Sequence, residues 1–366
     1  MAKKTPVNSS NKNTQPRLDR RRFLEGMALS AGAVSMLAGG LSLSGRAYAQ
    51  GAPTTPPGWP APLPPMANSQ APQLTELAGK TAYITASSDG IGLGIARACS
   101  NAGMKVVVGY RNPERLKQAL PLFKEPNAGV LPIRHDVTDR DGWKRLLDEI
   151  NAKYGNLHLL VNNAGVKTLR KASEAPFEEW DNAVAVNFTG IYNGVFTCLP
   201  HMIEHGEGSH IVTTASMGGL LPGASAGVYT ATKIAAVGLM EALRIELERT
   251  TVGTSAYCPG SVNTENHPNA VPPPLPDGRP RPPSVGMDPL EAGERVLNGV
   301  RNNDLFILTH PEFRDGMQER FDAMMASVPE GEVPPGRLAM AARVIHADIY
   351  PREIVHRRQP RKSYRG

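Results

Sequence analysis

The chain has 366 residues, 40% of them hydrophobic, and a formal net charge of +6, which is enough for one α/β domain with extensions at both ends. The positive charge is concentrated at the termini, because residues 1–49 and 334–366 each carry eight basic and two acidic side chains while the segment between them is acidic. No basic stripe interleaved with aromatic residues runs along that middle segment, which argues against a nucleic-acid partner.

The first 49 residues have the pattern of an export signal. Adjacent arginines at Arg20 and Arg21 are followed by Phe23-Leu24, a Gly/Ala/Ser/Leu stretch over 26–43, and Ala47-Tyr48-Ala49. The segment resembles a twin-arginine signal peptide, which implies contact with the twin-arginine export machinery and a periplasmic or exported protein. A disordered basic arm and an uncleaved membrane anchor are the alternatives, although the apolar stretch is short for a span of about 20 residues.

Residues 50–73 are rich in proline and predict an extended linker. The folded domain is expected over 74–327, followed by a basic tail over 328–366 that either wraps a neighbouring subunit or is disordered. Cys99, Cys198 and Cys258 lie in apolar segments without paired spacing. We therefore expect buried free thiols and no metal site.

A phosphate-binding turn is predicted early in the domain. Residues 80–86 have the pattern of a buried strand, and the run Gly90-Ile91-Gly92-Leu93-Gly94 opens a helix. The next predicted strand, 104–111, ends in Arg111 and completes a βαβ unit. Glycines allow close approach of the backbone to a pyrophosphate, whose charge is met by unpaired N–H groups at the helix start.

Farther along come His135-Asp136-Val137, a helix to about Tyr154, a strand over 157–161 and the turn Asn162-Asn163-Ala164-Gly165. With these motifs in order, residues 76–265 resemble the short-chain dehydrogenase/reductase family. The resemblance implies a Rossmann-type α/β fold, a doubly wound parallel sheet with helices on both faces. It also implies cofactor contacts from a set of residues in these turns: Thr85, Ser87, Ser88, Gly90, Ile91, Gly92, Asp136, Val137, Asn163, Ala164 and Gly165. Ala86 stands where the family has its first glycine, which adds a methyl group at a tight turn.

The choice of nicotinamide cofactor depends on the end of the second strand. A basic side chain there suits the 2′-phosphate of NADP, and an acidic one suits the ribose hydroxyl of NAD. Arg111 favours NADP, whereas Asp89 would repel that phosphate. We predict NADP, with NAD as the alternative.

The catalytic residues are predicted around a Tyr-x-x-x-Lys pair. Tyr229 and Lys233 share one helix face, and Ser216 ends a buried strand over 211–216. By the resemblance, Tyr229 is the general acid/base, Lys233 lowers its pKa and binds ribose hydroxyls, and Ser216 holds the substrate oxygen. Asn187, within a predicted helix over 180–199, matches the fourth catalytic residue and would hold a water through its backbone or amide. A core asparagine without that role is the alternative.

The turn after the next strand matches the family's nicotinamide-facing motif through Pro259, Gly260, Val262 and Thr264. Residues 265–290 are rich in proline and predict either a stiff substrate lid or a solvated loop. A helix over 289–301, a strand over 305–308 and a helix over 312–327 should close the domain, and His310 is interpreted as structural.

The predicted reaction is reversible oxidation of a secondary alcohol, or reduction of a ketone or aldehyde, by hydride exchange with NADP(H) or NAD(H). The substrate is expected to be a small, apolar molecule that contacts Ser216, Met217 and Tyr229, and the enzyme to be a homodimer or homotetramer. Two alternatives remain: a lyase or isomerase that uses bound nicotinamide transiently, and a dinucleotide-binding protein without turnover.

Overall fold

A computed structural model describes residues 73–123, 129–264, 285–338, 341 and 348–357. The predicted signal peptide, nearly all of the linker and most of the predicted lid lie outside these residues. Residues 332–338 and 341 belong to a separate unit, in which 335–338 form one helical turn. The other described residues form the second unit, which contains all the strands and helices named in this section.

Seven parallel strands form one sheet. Runs of β-branched and other apolar residues favour them because both faces of such a sheet are covered, and the side chains of the inner strands are buried. The strands are β1 Thr81–Ile84, β2 Lys105–Tyr110, β3 Val130–Arg134, β4 Leu159–Asn162, β5 Ser209–Thr214, β6 Val252–Cys258 and β7 Phe306–Leu308.

Helices connect the strands and cover both faces. Several begin at capping side chains: Asp89 caps α1, Asn112 caps α2 and Asp288 caps α7, each accepting hydrogen bonds from otherwise unpaired backbone N–H groups. The helices are α1 Gly90–Asn101, α2 Pro113–Ala119, α3 Arg140–Tyr154, α4 Phe177–Val184, α5 Gly190–Glu204, α6 Gly227–Glu246, α7 Pro289–Arg301, α8 Arg314–Ala326 and α9 Ile349–Arg357.

The strand order is β3-β2-β1-β4-β5-β6-β7, with every neighbouring pair parallel. The order reverses between β1 and β4, so the loops that leave their carboxyl ends separate and open a crevice there. The predicted doubly wound fold is confirmed. Among the described helices, none is both long and apolar enough to cross a membrane.

Two clusters of buried side chains cover the two faces of the sheet. Tyr83 and Leu160 belong to one cluster, and Ile84 and Val161, their neighbours in sequence, belong to the other. Successive side chains of a β-strand point to opposite faces of the sheet, so this alternation is expected. The sheet is therefore held rigidly between two apolar layers, and its loops carry the polar residues.

Helices α1 and α7 cross in direct backbone contact. A Cβ atom added at Gly94 would lie 1.8 Å from the Pro289 carbonyl oxygen, and one at Gly293 would lie 2.4 Å from the Gly94 carbonyl oxygen. Only glycines permit this approach. The contact joins the helix that follows the glycine turn to the helix that follows the predicted lid.

The sequence predicted that residues 328–366 form a tail separate from the domain. In the structure, α9 instead packs on the domain. Ile349 is buried, and the Tyr350 hydroxyl donates to a Glu241 carboxylate oxygen at 2.8 Å. Arg357 and His356 both contact the buried Asp304 carboxylate. The basic residues of this segment are paired with acidic groups that are distant in sequence.

Buried histidines should make the free energy of unfolding depend on pH. Burial lowers the pKa of His135 to about 4 and also lowers the pKa values of His158 and His210, so these rings are neutral in the folded state. Unfolded histidines bind protons below about pH 6.5, so each ring stabilises the fold fully above that pH. Below about pH 6.5 the free energy of unfolding should fall by up to about 1.4 kcal/mol per pH unit for each ring.

Thermal unfolding measured from pH 8 to pH 4.5 tests this expectation. The midpoint should be constant above about pH 7 and fall steadily below pH 6.5. A midpoint that does not change between pH 7 and pH 5 would contradict the assignment of neutral, buried rings.

Candidate active site

The glycine turn joins β1 to α1 in the conformation that dinucleotide binding requires. Gly90 has φ +52°, and the Asp89 carboxylate accepts from its N–H at 2.8 Å. A Cβ atom at Gly92 would lie 2.4 Å from the Ala86 carbonyl oxygen and 2.5 Å from Asn163 Nδ2. The turn is thus packed against the loop after β4, and its backbone stays bare for a close ligand.

Ala86, the departure from the family motif, adopts φ 50°. This left-handed conformation brings the alanine Cβ close to backbone atoms and costs about 1–2 kcal/mol relative to glycine. The strain is located at the edge of the nucleotide crevice, as the sequence indicated for this position.

The variant Ala86→Gly should therefore raise the free energy of unfolding by about 1 kcal/mol, offset in part by the greater freedom of glycine in the unfolded chain. For a domain of this size the midpoint of thermal unfolding would rise by about 2–4 °C. A matched change at Ala98, buried in the interior of α1, should destabilise the protein instead. Equal destabilisation by both changes would show that Ala86 is not strained.

Two predicted cofactor residues use their side chains inside the protein. The Thr85 hydroxyl accepts from the Asn163 and Ala164 N–H groups, both at 2.8 Å. The Ser87 hydroxyl donates to the Ile84 carbonyl oxygen at 2.7 Å. Both side chains are buried; Thr85 ties the end of β1 to the loop after β4, and Ser87 closes the turn back onto β1.

A cavity of about 410 Å³ opens beside this turn. Arg111, at the end of β2, contacts the Asp136 carboxylate at 3.2 Å. Arg115, on α2, forms an ion pair with Asp89; sequence reasoning did not identify Arg115 because nothing in its local pattern indicates where α2 would lie. Other predicted residues that line the cavity are Ser88, Val137, Ala164 and Gly165.

Asp136 is held in its charged form. Partial burial raises the pKa of this carboxyl, but hydrogen bonds from the Thr138 N–H and hydroxyl and the contact with Arg111 outweigh burial and lower the pKa below its ordinary value. The cavity is therefore lined by two cations, Arg111 and Arg115. The Asp136 carboxylate lies beside Arg111, and the Asp89 carboxylate, which caps α1, lies beside Arg115.

Tyr229 and Lys233 lie one turn apart on α6, and the Lys233 Nζ atom is 5.6 Å from the centroid of the Tyr229 ring. The Nζ atom donates to the Thr214 carbonyl oxygen at 2.7 Å, at the end of β5. Ser216 follows that strand; its hydroxyl accepts from the Gly218 N–H at 3.0 Å and lies close enough to Tyr229 to act against the rise of the phenol's pKa. The structure thus brings together the three side chains that the sequence assigned to proton transfer.

The predicted lowering of the Tyr229 pKa by Lys233 is wrong for this structure. Burial raises the pKa of Tyr229, and the Ser216 hydroxyl only partly opposes this rise. Burial also lowers the pKa of Lys233 to about 8. Desolvation weakens both charged forms, and this outweighs the attraction that the i, i+4 spacing suggested.

Asn187 lies in a π-helical turn, Ala185–Thr189, between α4 and α5, where the sequence predicted a continuous helix. Its amide oxygen accepts from the Val166 N–H at 2.7 Å, and its amide nitrogen donates to the Val166 carbonyl at 3.0 Å and to the Thr232 hydroxyl at 3.1 Å. Both amide N–H groups are used within the protein, whereas the amide oxygen accepts one hydrogen bond and keeps a second acceptor site. A water could therefore still donate to this oxygen or be held by the backbone.

The turn at Pro259–Gly260 is held by His310. The Gly260 N–H donates to His310 Nδ1 at 3.0 Å, and His310 Nε2 lies 3.0 Å from the Ser261 carbonyl oxygen. This pair of contacts fixes the tautomer with the proton on Nε2. His310 is thus a structural clamp on the nicotinamide-facing turn.

The remaining residues of that motif connect the turn to the rest of the crevice. Val262 forms a bridge with Met287, where the Asn263 N–H donates to the Met287 carbonyl and the Met287 N–H to the Ser261 carbonyl, both at 2.9 Å. Thr264 lies against the glycine turn, since a Cβ atom at Gly90 would be 3.2 Å from its side chain. Ile91, in the first turn of α1, is partly exposed.

The thiols and possible metal ligands add no further chemistry here. All three cysteines are buried and free. Among the residues that the structure describes, no group of three or more histidine, cysteine or acidic side chains could hold a metal ion.

Comparisons with known proteins identify the family of this chain. A profile of the short chain dehydrogenase family matches residues 80–273. The C alpha-dehydrogenase of Sphingobium sp. (strain NBRC 103272 / SYK-6) is 30% identical over 284 residues, which cover 72% of this chain and 90% of that protein.

Solved structures give the same result. A short-chain dehydrogenase from Novosphingobium aromaticivorans has a TM-score of 0.66 and 32% identity, covering 77% of this chain and 100% of that one. A short-chain dehydrogenase/reductase from Burkholderia phymatum in complex with NAD has a TM-score of 0.61 and 27% identity, covering 71% and 99% of the two chains.

The profile match spans the glycine turn, the loop after β4 and the Tyr229–Lys233 helix, and the relatives share the whole sheet. This chain therefore belongs to the short-chain dehydrogenase/reductase family of oxidoreductases, whose members bind NAD or NADP.

Proposed function

We propose that the chain transfers a hydride between NADP(H) and a secondary alcohol or the corresponding carbonyl compound, with Tyr229 as general acid/base. The observation that carries this proposal is the convergence of Ser216, Tyr229 and Lys233 at the carboxyl end of β5. A dinucleotide-binding protein without turnover would not need a phenol, a hydroxyl and an amine at one point of the crevice.

Nicotinamide, when bound, supplies or accepts the hydride. In oxidation, Tyr229 as phenolate takes the proton of the substrate hydroxyl; in reduction, its O–H gives that proton to the substrate oxygen. The Ser216 hydroxyl hydrogen-bonds the same oxygen and fixes it beside the phenol. Lys233, anchored at the end of β5 by the Thr214 carbonyl oxygen, would bind the ribose hydroxyls of the cofactor, while Asn187 holds the loop at Val166 in place.

The residues present fit a dinucleotide. Gly90 and Gly92 leave the backbone bare, and a side chain at Gly92 would collide with the opposite loop. Asp136 and Val137 line one wall of the adjoining cavity, and Gly165 lines another. A cavity of this size and mixed polarity suits the adenosine half of the cofactor.

NADP is favoured over NAD because two arginines border the cavity. Asp89 alone would repel a 2′-phosphate, but its ion pair with Arg115 offsets that charge. Arg111 and Arg115 could each release the neighbouring carboxylate and bind the phosphate instead. The planar set of donors on a guanidinium matches the oxygens of a phosphate.

The variant Arg115→Gln should weaken NADP⁺ binding by about tenfold while changing NAD⁺ binding by less than about twofold. Removing the guanidinium also frees the Asp89 charge, which repels the phosphate further. Dissociation constants from titration calorimetry check this. Equal losses for both cofactors would mean that Arg115 only supports the turn.

The test of the function is a screen of secondary alcohols and carbonyl compounds with NADP(H) and NAD(H), following absorbance at 340 nm and product by mass spectrometry. Hydride exchange coupled to product formation supports the proposal. Product without net change in NAD(P)H would instead indicate a lyase or isomerase. Tight cofactor binding without any product would indicate a binding protein.

We also propose export through the twin-arginine pathway, on the basis of Arg20-Arg21 and Phe23-Leu24 followed by the apolar stretch over 26–43. A fusion of residues 1–60 to a fluorescent protein should reach the periplasm only in cells with the twin-arginine translocase. Export unchanged by the double variant Arg20→Lys, Arg21→Lys would contradict the assignment.

Assembly of identical subunits is proposed through the outer face of α5. Phe196 is 69% exposed and Tyr192 50% exposed, with ring centroids 5.8 Å apart, and an exposed aromatic pair of this kind marks an interaction surface. Enzymes of this family commonly oligomerise. Light scattering should show a dimer or tetramer, and Phe196→Glu should give a monomer; an oligomer of unchanged size would exclude this face.

A further inference from the structure

A second cavity, of about 560 Å³, has Met217, the residue after Ser216, in its wall. Its walls come from the loop after β5, from the end of β7 and from α8. Met217, Leu308, Met317 and Phe321 give it an apolar lining. None of the residues of α8 is buried, so the apolar side chains of this helix face a space that the described protein does not fill.

The cavity adjoins the site of proton transfer. Met217 directly follows Ser216, and its N–H donates to the Pro259 carbonyl oxygen at 2.9 Å. His310, on another wall, clamps Gly260 and the Ser261 carbonyl. A molecule whose reacting carbon is held at Ser216 and Tyr229 can therefore extend its other end into this space.

The charged side chains that line this cavity are cationic. Two arginines face the cavity, and no carboxylate is found among the described residues that line it. The Arg295 guanidinium is engaged with Glu291 at 2.8 Å and with the Thr309 carbonyl oxygen at 3.4 Å. The Arg314 guanidinium makes no hydrogen bond or ion pair with any residue that the structure describes.

We infer that the substrate carries an anionic group at the far end of an apolar body, and that Arg314 binds this group. The inference rests on the proposed function and specifies its substrate class. Guanidinium forms bidentate hydrogen bonds with carboxylate, and the apolar walls give the body of the substrate a surface to pack against. The sequence predicted an apolar substrate; the cavity adds a negative charge to one end of it.

The experiment compares two ketones with the same aromatic body, 4-acetylbenzoate, which carries a carboxylate at the far end, and its methyl ester, which is neutral there and larger by one methyl group. Titration calorimetry measures their binding to the full chain with and without saturating NADP⁺, a pairing that cannot turn over. The acid should bind at least about tenfold more tightly than the ester. The preference should shrink as salt rises from 0.05 to 0.5 M, because the Arg314 side chain is exposed at the cavity edge.

The variant Arg314→Gln should remove the preference for the acid and leave binding of the ester within about twofold, while Arg314→Lys should keep part of it. Arg320→Gln is the matched control, since Arg320 lies on the same helix but does not line this cavity, and it should keep the preference. Equal binding of acid and ester by the wild type, or a preference that survives Arg314→Gln, overturns the inference.

Reduction of the same two ketones with NADPH separates this inference from the proposed function. If the acid binds through Arg314 but neither ketone is reduced, the anion site stands and the hydride-transfer proposal loses support. If both ketones are reduced with equal kcat/KM and equal affinity, the hydride-transfer proposal stands and the anion site is excluded.

Discussion

Replacing Tyr229 by Phe should lower kcat by about 10²- to 10⁴-fold with little change in NADP⁺ affinity. The phenol hydroxyl is the group placed to exchange a proton with the substrate oxygen, and general acid/base catalysis contributes effects of this size. The ring itself remains, so packing of α6 and the position of Lys233 should be preserved. Steady-state kinetics and cofactor titration on the same preparation give both numbers.

The matched control is Tyr192→Phe, which removes a hydroxyl from a tyrosine that is 50% exposed on α5 and should leave kcat unchanged. Because burial raises the pKa of Tyr229, the rate of alcohol oxidation should also increase with pH from 7 to 9, as more phenolate forms. Turnover that survives Tyr229→Phe would rule out the mechanism.

The variant Gly94→Ala should lower the free energy of unfolding by about 3 kcal/mol, the upper end of the range for overpacked sites. Its Cβ atom would lie 1.8 Å from the Pro289 carbonyl oxygen, and neither backbone can yield without separating α1 from α7. Chemical unfolding with urea measures the change. NADP⁺ affinity should fall as well, because α1 begins at the glycine turn.

Gly238→Ala is the control for this change. Gly238 lies inside α6, and a Cβ atom there meets nothing within 4 Å, so alanine should stabilise the protein by up to about 1 kcal/mol through its helix propensity. If Gly94→Ala were as harmless as Gly238→Ala, the close crossing of α1 and α7 would be incorrect.

Much of the fold could be predicted because its signals are local. Buried parallel strands appear as short apolar runs, and the βαβ unit appears as a strand, a glycine turn and a helix. The spacing of Tyr229 and Lys233 already placed both side chains on one helix face, and α7 was predicted over its observed bounds.

The features that could not be predicted depend on contacts between distant segments. His310 reaches Gly260 across 50 positions, Arg115 meets Asp89 only after α2 folds back, and α9 is fixed by Asp304 and Glu241. The π-helical turn at Asn187 has no separate pattern, since a helix with one extra residue per turn keeps the same composition. The raised pKa of Tyr229 follows from desolvation by the surrounding protein, which no spacing rule expresses.

The bridge between Val262 and Met287 has a consequence for how this enzyme can change. The contacts of Ser261, Val262 and Asn263 with Met287 hold together the described chain on either side of residues 265–284. Doubling the number of residues between two such anchors costs only about 0.6 kcal/mol in closure entropy. Segments of other lengths and compositions could be grafted between these anchors to exchange selectivity, while the proton-transfer residues keep their positions.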